Sequence, residues 1–228
     1  MPLVRLAGCD PGKTRDSFAL VSLLVNPEEN EIFVEFCRRW LRIDYLNVEA
    51  DIARMNQKAL WNHIYVEQNN TGEHVIEVLR RKYGLPVRPI TTVAKLTDPK
   101  KHHKGRTMSK NEMVGWFLKA KQNHIIQFPA DSKNADMLEY IRQVAIFSEH
   151  KTEAGNVAYY APGEEHDDLV MAGLIACYAA RRYIRITGAP AAGVVGGTLR
   201  DVRRTGGGQN QNTAAGILEA GMYDEFMV

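Results

Sequence analysis

Acidic residues placed far apart along this chain constrain its fold more than any other feature. Asp10 ends the apolar run LVRLAGCD, Glu67 ends HIYVE, and Asp167 and Asp168 open DDLVMAGLIACYAARRY. An acid at the end of each of two strands and at the start of a late helix is an arrangement that can converge in space. Converging carboxylates repel one another unless a cation sits between them. Oxygen ligands select hard cations such as Mg²⁺ or Mn²⁺, and such a site suits two-metal cleavage of a phosphodiester.

The pattern around these acids predicts an α/β domain with a mixed sheet. Residues 3–9, 17–25 and 31–41 read as consecutive strands, with NPEEN at 26–30 as a hairpin turn between the last two. The third alternates, which predicts Ile32, Val34, Phe36 and Arg38 on one face. Helical spacing over 45–60 precedes the strand 63–67, and a helix from Thr71 to Tyr83 is stopped by Gly84. LPVRPI at 85–90 has its prolines near its ends, as an edge strand would. A polar, basic loop covers 97–108, after which Ser109 and Glu112 form a capping-box pattern ahead of NEMVGWFLKAKQ. HIIQFP, a helix at 132–147, the extended VAYYAP and an amphipathic helix at 164–184 with Val170, Leu174 and Cys177 on its buried stripe complete the domain. Strands first, then helices interleaved with short strands, is the order of a mixed sheet flanked by helices. Residues 1–186 form this domain, and 187–228 read as a Gly/Ala-rich C-terminal tail.

Composition excludes several classes. A chain of 228 residues with 45% hydrophobic and 25% charged residues has material for a packed core. Cys9, Cys37 and Cys177 contain no CxxC pair, which argues against zinc or a disulfide framework and for a reducing compartment. The N-terminus has no signal-peptide pattern, and the apolar stretch 18–25 is too short to cross a bilayer, so the expectation is a soluble, non-secreted protein without a membrane partner. The net charge of +2 says little about nucleic acid, and local charge matters more.

Each motif also has a plain reading. Asp10 before Pro-Gly is a common turn residue. The string AGCDPGKT is one residue from the phosphate-binding pattern GxxxxGK[ST], with Ala7 in place of the first Gly, and would place Lys13 on a nucleotide. That pattern must open into a helix, whereas RDSFALVSLLV is β-like. Glu67 before NNTG is also what a solvated strand end looks like. Asp167 and Asp168 complement a helix dipole, although four acids within EEHDD exceed that need. Adjacent helical residues point about 100° apart, so only one of the pair faces fully into a site. His166 beside them reads as a surface histidine or a substrate contact. Lys95, Lys100, Lys101, His102, His103, Lys104 and Arg106 are opposed by Asp98 alone; together with Lys110 they form either a solvated basic segment or a clamp for a phosphate backbone.

The segments LAGCDPGKTRDSFALV, HIYVEQNNTGEHVIEVL, RTMSKNEMVGWFLKAKQNHIIQFP and EEHDDLVMAGLIACYA resemble the nuclease domain of the viral terminase large subunit, the DNA-packaging motor protein of tailed phages. That family belongs to the ribonuclease H-like superfamily, and the resemblance covers about residues 3–183. It reads there as Asp-Pro before a second strand, a VExNxxG turn, a Thr-Lys helix leading to a strand, and HDDLV opening the last helix. Here Ser109-Lys110 stands in place of Thr-Lys. The resemblance implies a ribonuclease H-like mixed β-sheet flanked by helices and an endonuclease that cuts concatemeric viral DNA during genome packaging. It implies two divalent ions, Mg²⁺ or Mn²⁺. Asp10 and Glu67 match the first two ligands, and Asp168 or Asp167 the third. One ion, on Asp10 and the third aspartate, would activate water; the other, on Asp10 and Glu67, would stabilise the leaving oxygen. The implied partners are double-stranded DNA, portal, small terminase subunit and the ATPase motor domain, in the host cytoplasm. That motor domain normally precedes the nuclease, so a chain starting at the nuclease is expected to be an excised domain or a separately encoded enzyme. The rival readings are a Holliday-junction-resolving nuclease of the same fold, a P-loop NTPase and a non-catalytic packaging module.

Overall fold

Strands β1 (Val4–Asp10), β2 (Phe18–Asn26) and β3 (Glu31–Trp40) form an antiparallel meander. The β2–β3 turn is held by Asn26, whose Oδ1 accepts from the Glu28 and Glu29 amides at 3.2 and 3.3 Å. This computed structural model describes residues 1–12, 17–41, 44–69, 71–93, 107–151, 157–162 and 166–186. Helix α1 (Tyr45–Ala59), capped by Asp44, returns the chain so that β4 (His63–Glu67) lies parallel to β1. Helix α2 (Gly72–Arg81) leads to β5 (Val87–Val93), parallel to β4, and β6 (Thr107–Ser109) is parallel to β5. Helix α3 (Lys110–Gln122) then crosses to β7 (Ile126–Gln127) on the far edge, beside β3. Helix α4 (Ala135–Ile146), a separate hairpin β8 (Ser148–Lys151) and β9 (Val157–Tyr160), and helix α5 (Asp168–Ala180) follow. The sheet order is β6-β5-β4-β1-β2-β3-β7.

Two apolar layers enclose this sheet. Phe18, Leu20, Ile52, Trp61, Val75 and Leu79 form one, under α1 and α2. Val21, Leu23, Phe117, Tyr140, Leu174 and Ile175 belong to the other, under α3, α4 and α5. Helix α5 is the centre of that second layer. Every residue from Asp168 to Ala180 is buried, so the expected amphipathic stripe of Val170, Leu174 and Cys177 is instead a helix enclosed on all sides, and it is shorter than 164–184. The sheet covers one flank of it, and α3 and α4 cover the other. Its approach to β1 depends on Gly8: a Cβ there would stand 2.2 Å from the Ala172 carbonyl oxygen and 2.7 Å from the Ala176 nitrogen.

Other expectations shift for identifiable reasons. A β-bulge opposite Ser22 and Leu23 breaks the alternation of β3. Ile32, Val34 and Cys37 therefore share one layer, while Phe36 turns to the other, rather than siding with Ile32 and Val34. The bulged Glu35 is buried but paired: Arg5 Nε donates to it at 2.9 Å and Ser22 Oγ at 3.1 Å, and Trp61 Nε1 donates to Ser22 Oγ at 2.8 Å. A buried carboxylate persists only with such partners. β5 is not an edge strand, because β6 forms within the stretch expected to be loop. β6 pairs with Thr91–Val93, however, so among the described residues no strand flanks Pro89 on that side. The β8–β9 hairpin went unread except for the extended 157–162. Cys9, Cys37 and Cys177 are free and buried, with burial pushing each thiol up. Among the described residues no helix is long and apolar enough to cross a membrane. The tail 187–228 and the residues Lys95, Lys100, Lys101, Lys104 and Arg106 lie outside the described residues.

Two glycine substitutions separate close packing from backbone freedom. Gly8→Ala must displace α5 backbone and is expected to lower unfolding free energy by about 1–3 kcal/mol or more. Gly115→Ala, in exposed helix with no atom within 4 Å of the new Cβ, is expected to be neutral or to stabilise, by up to about 1 kcal/mol. Urea denaturation of both variants reads the difference.

Candidate functional site

Parallel pairing of β1 with β4 runs to Cys9 and Val66, so the next residues, Asp10 and Glu67, lie side by side as the last residues of their strands, still paired with β2 and β5. Helix α5, packed along β1 through Gly8, brings Asp167 and Asp168 to the same end. The other three acids all act on Asp10. Burial holds the Asp10 carboxyl well above the usual carboxylate range, and the charges of Glu67, Asp168 and Asp167 and a hydrogen bond with Glu67 push it the same way. Burial also raises Glu67, against the pull of hydrogen bonds from Asp10 and Asn69 and of the Lys110 charge. A hydrogen bond between two carboxyl groups requires that they share a proton.

Neighbouring groups take up the other oxygens. Glu67 Oε1 accepts from Asn69 Nδ2 at 2.7 Å and from the Thr92 hydroxyl. Asp168, buried, accepts from the Ser17 hydroxyl. Asp167, more exposed, pairs with Lys110 Nζ at 3.3 Å, and that ammonium also lies 5.3 Å from the centre of the Phe147 ring. Lys110 is placed by the start of α3, where Ser109 Oγ accepts from the Glu112 amide at 3.5 Å, the expected cap with a long bond. The turn after β4 is fixed by Gly72, whose Cβ would fall 1.8 Å from the Glu67 carbonyl oxygen. Tyr45 ties it to the loop after β1: its hydroxyl donates to the Gly12 carbonyl at 3.0 Å and stands 3.1 Å from Thr71 Oγ1.

The structure thus brings Asp10, Glu67, Asp167, Asp168 and Lys110 together. His166 beside them is exposed. Lys13 lies outside the described residues, but the next described element, β2, is a strand antiparallel to β1, whereas a P-loop would open into a helix. Among the described residues no three His, Cys, Asp or Glu side chains already form a metal cage. Ser17, Thr92 and Asn69 escaped sequence reasoning. Thr92 meets Glu67 only because β5 pairs with β4, and no spacing signals that register; Asn69 was legible only as a turn residue.

The family model described as the terminase RNaseH-like domain matches residues 7–177. No curated protein matches the sequence. Among solved structures, the large terminase nuclease from thermophilic phage G20c with bound magnesium aligns with a TM-score of 0.57 at 16% identity, over 77% of this chain and 81% of that one. The P22 large terminase nuclease domain aligns at 0.54 and 13% identity, over 81% and 84%. The HK97 bacteriophage large terminase aligns at 0.57 and 15% identity, over 78% of this chain but 40% of its own length.

The raised carboxyls set a pH dependence for the metal-free protein. Asp10 and Glu67 bind protons more tightly folded than unfolded, so stability falls as pH rises above the ordinary carboxylate range of about 4. In EDTA, Asp10→Asn is expected to melt higher than the wild type at pH 7, with the gap narrowing toward acid pH. Thermal melts between pH 5 and 8 measure it.

Proposed function

The chain belongs to the terminase RNase H-like family, and from that membership we propose that it is a metal-dependent endonuclease that cuts concatemeric double-stranded viral DNA during genome packaging. Its fold is that of large terminase nuclease domains. The observation that carries the activity is the gathering of Asp10, Glu67, Asp167 and Asp168 at one end of the sheet: buried acids drawn together at strand and helix ends belong to a site built for cations.

The donor set is all oxygen, which fits Mg²⁺ or Mn²⁺. Asp10, Glu67 and Asp168 would hold two such ions. Bound there, the ions would supply an activated water and compensate charge at the scissile phosphate. Ser17 orients Asp168, and Thr92 and Asn69 orient Glu67, so each carboxylate presents a fixed face. Asp168, buried and held, is the better-oriented ligand; Asp167, nearer solvent, positions Lys110. The Lys110 ammonium is placed to meet a phosphate oxygen of the DNA once it is released from Asp167.

Lys100, Lys101, Lys104 and Arg106 are proposed to hold the DNA backbone with Lys110. In sequence their segment joins β5, whose Thr92 contacts Glu67, to β6, next to Lys110. Backbone contacts of this kind carry no base information, so cutting should be weakly sequence-specific. Portal, small terminase subunit and an ATPase motor domain are the proposed partners.

Supercoiled-plasmid cleavage tests the reading. Mg²⁺ or Mn²⁺ should support nicking and linearisation, and EDTA should stop both. Asp10→Asn, Glu67→Gln and Asp168→Asn should each lose at least about 100-fold, the scale of a lost charge-stabilising group. Asp167→Asn and Lys110→Ala should lose less. Normal cutting by Asp10→Asn would overturn the site assignment, and a folded wild type inert with every metal would favour a non-catalytic packaging module.

A further inference from the structure

The strand that ends at Glu67 begins at His63, and a second polar cluster lies at that far end. Side chains of His63, Tyr65 and Glu67 alternate onto one face of β4. Arg88 on β5 is the register partner of Tyr65. Arg182, just past α5, has its guanidinium 5.7 Å from the centre of the Tyr65 ring. The His63 ring meets Tyr65 edge-on at 6.1 Å, and Arg88 Nη2 stands 3.3 Å from His63 Nε2.

Two features separate this cluster from ordinary surface arginines. Among the described residues neither Arg88 nor Arg182 forms an ion pair with a carboxylate, whereas Arg5, Arg39 and Arg142 each pair with a glutamate. Tyr65 is also 3% exposed, and its hydroxyl meets the Arg182 guanidinium, a donor only, so among the described residues the hydroxyl proton has no acceptor. A buried O–H left without an acceptor costs about 1–3 kcal/mol, which phenylalanine at the same place would avoid. Converging guanidiniums repel unless an anion joins them.

We propose that Arg88, Arg182, His63 and the Tyr65 hydroxyl form a binding site for a phosphate group, separate from the acid cluster. Guanidinium forks match phosphate oxygens with paired donors. His63 uses Nε2 to accept from Arg88, which leaves Nδ1–H as a donor. The Tyr65 hydroxyl supplies a neutral donor from the floor of the site. His63 lies four residues from Glu67, about 13 Å along an extended strand, so the phosphate held here is not the one being cut. Its source is either a backbone phosphate of bound DNA or a free phosphate ion.

The test follows the His63 ring by NMR in the full chain with EDTA present, so that no cutting occurs and the result is independent of the nuclease reading. Millimolar inorganic phosphate, at constant ionic strength against chloride, should shift the His63 ring signals and raise its titration midpoint. Arg88→Gln with Arg182→Gln, both at exposed positions, should abolish the shift. Tyr65→Phe should fold normally and bind about tenfold more weakly, the loss of one charge-assisted hydrogen bond. A short DNA duplex producing the same shift identifies the backbone as the source, and a response to phosphate alone identifies the free ion. No His63 response to either probe, or a response undiminished in the double arginine variant, overturns the proposal.

Discussion

Repulsion among the carboxylates at one end of the sheet is the constraint on which the rest of this structure depends. Asp10 and Glu67 end neighbouring parallel strands, and Asp167 and Asp168 arrive on the helix packed across them. Asp10 and Glu67 share a proton and the acids lean on neighbours: Ser17 and Lys110 each take an oxygen, and Thr92 and Asn69 share one of Glu67. This is a costly arrangement for a protein to maintain for stability alone, since burial penalises every charge it holds.

Packing supplies the rigidity that keeps the acids together despite that repulsion. Gly8 lets the α5 backbone approach β1 closely, and the complete burial of α5 fixes the direction in which Asp168 points. Gly72 folds the chain back onto the Glu67 carbonyl, so the second acid is held by backbone contact as well as by its side chain. These features place the acids on the rigid elements of the fold, the kind of support a precise site requires.

Much of this was legible in the sequence, for physical reasons. Strands and their ends show through apolar runs that stop at turn residues, which is how Asp10 and Glu67 could be located. The resemblance to terminase nucleases rested on four separated segments, and the family match covers the same region. What stayed hidden depends on contacts between distant residues. The bulge that turns Phe36 away from Val34 accompanies Glu35 meeting Arg5 and Ser22. The short strands β6 and β8 hold too few apolar residues to announce themselves. Helix α5 read as amphipathic because the polar RRY at 181–183 follows it, whereas its full burial depends on α3 and α4 closing over it. The partners of the acids, Ser17 and Thr92, are set by sheet register, which no local pattern encodes.

The account stands most directly on whether these acids bind metal. Calorimetric titration of the metal-free chain with Mn²⁺, run at mildly acidic pH in two buffers of different ionisation enthalpy, measures both uptake and proton release. The account predicts two Mn²⁺ per chain with protons released on binding, and loss of both in Asp10→Asn. A folded wild type that takes up no Mn²⁺, or an Asp10→Asn variant that binds it equally well, would contradict the account.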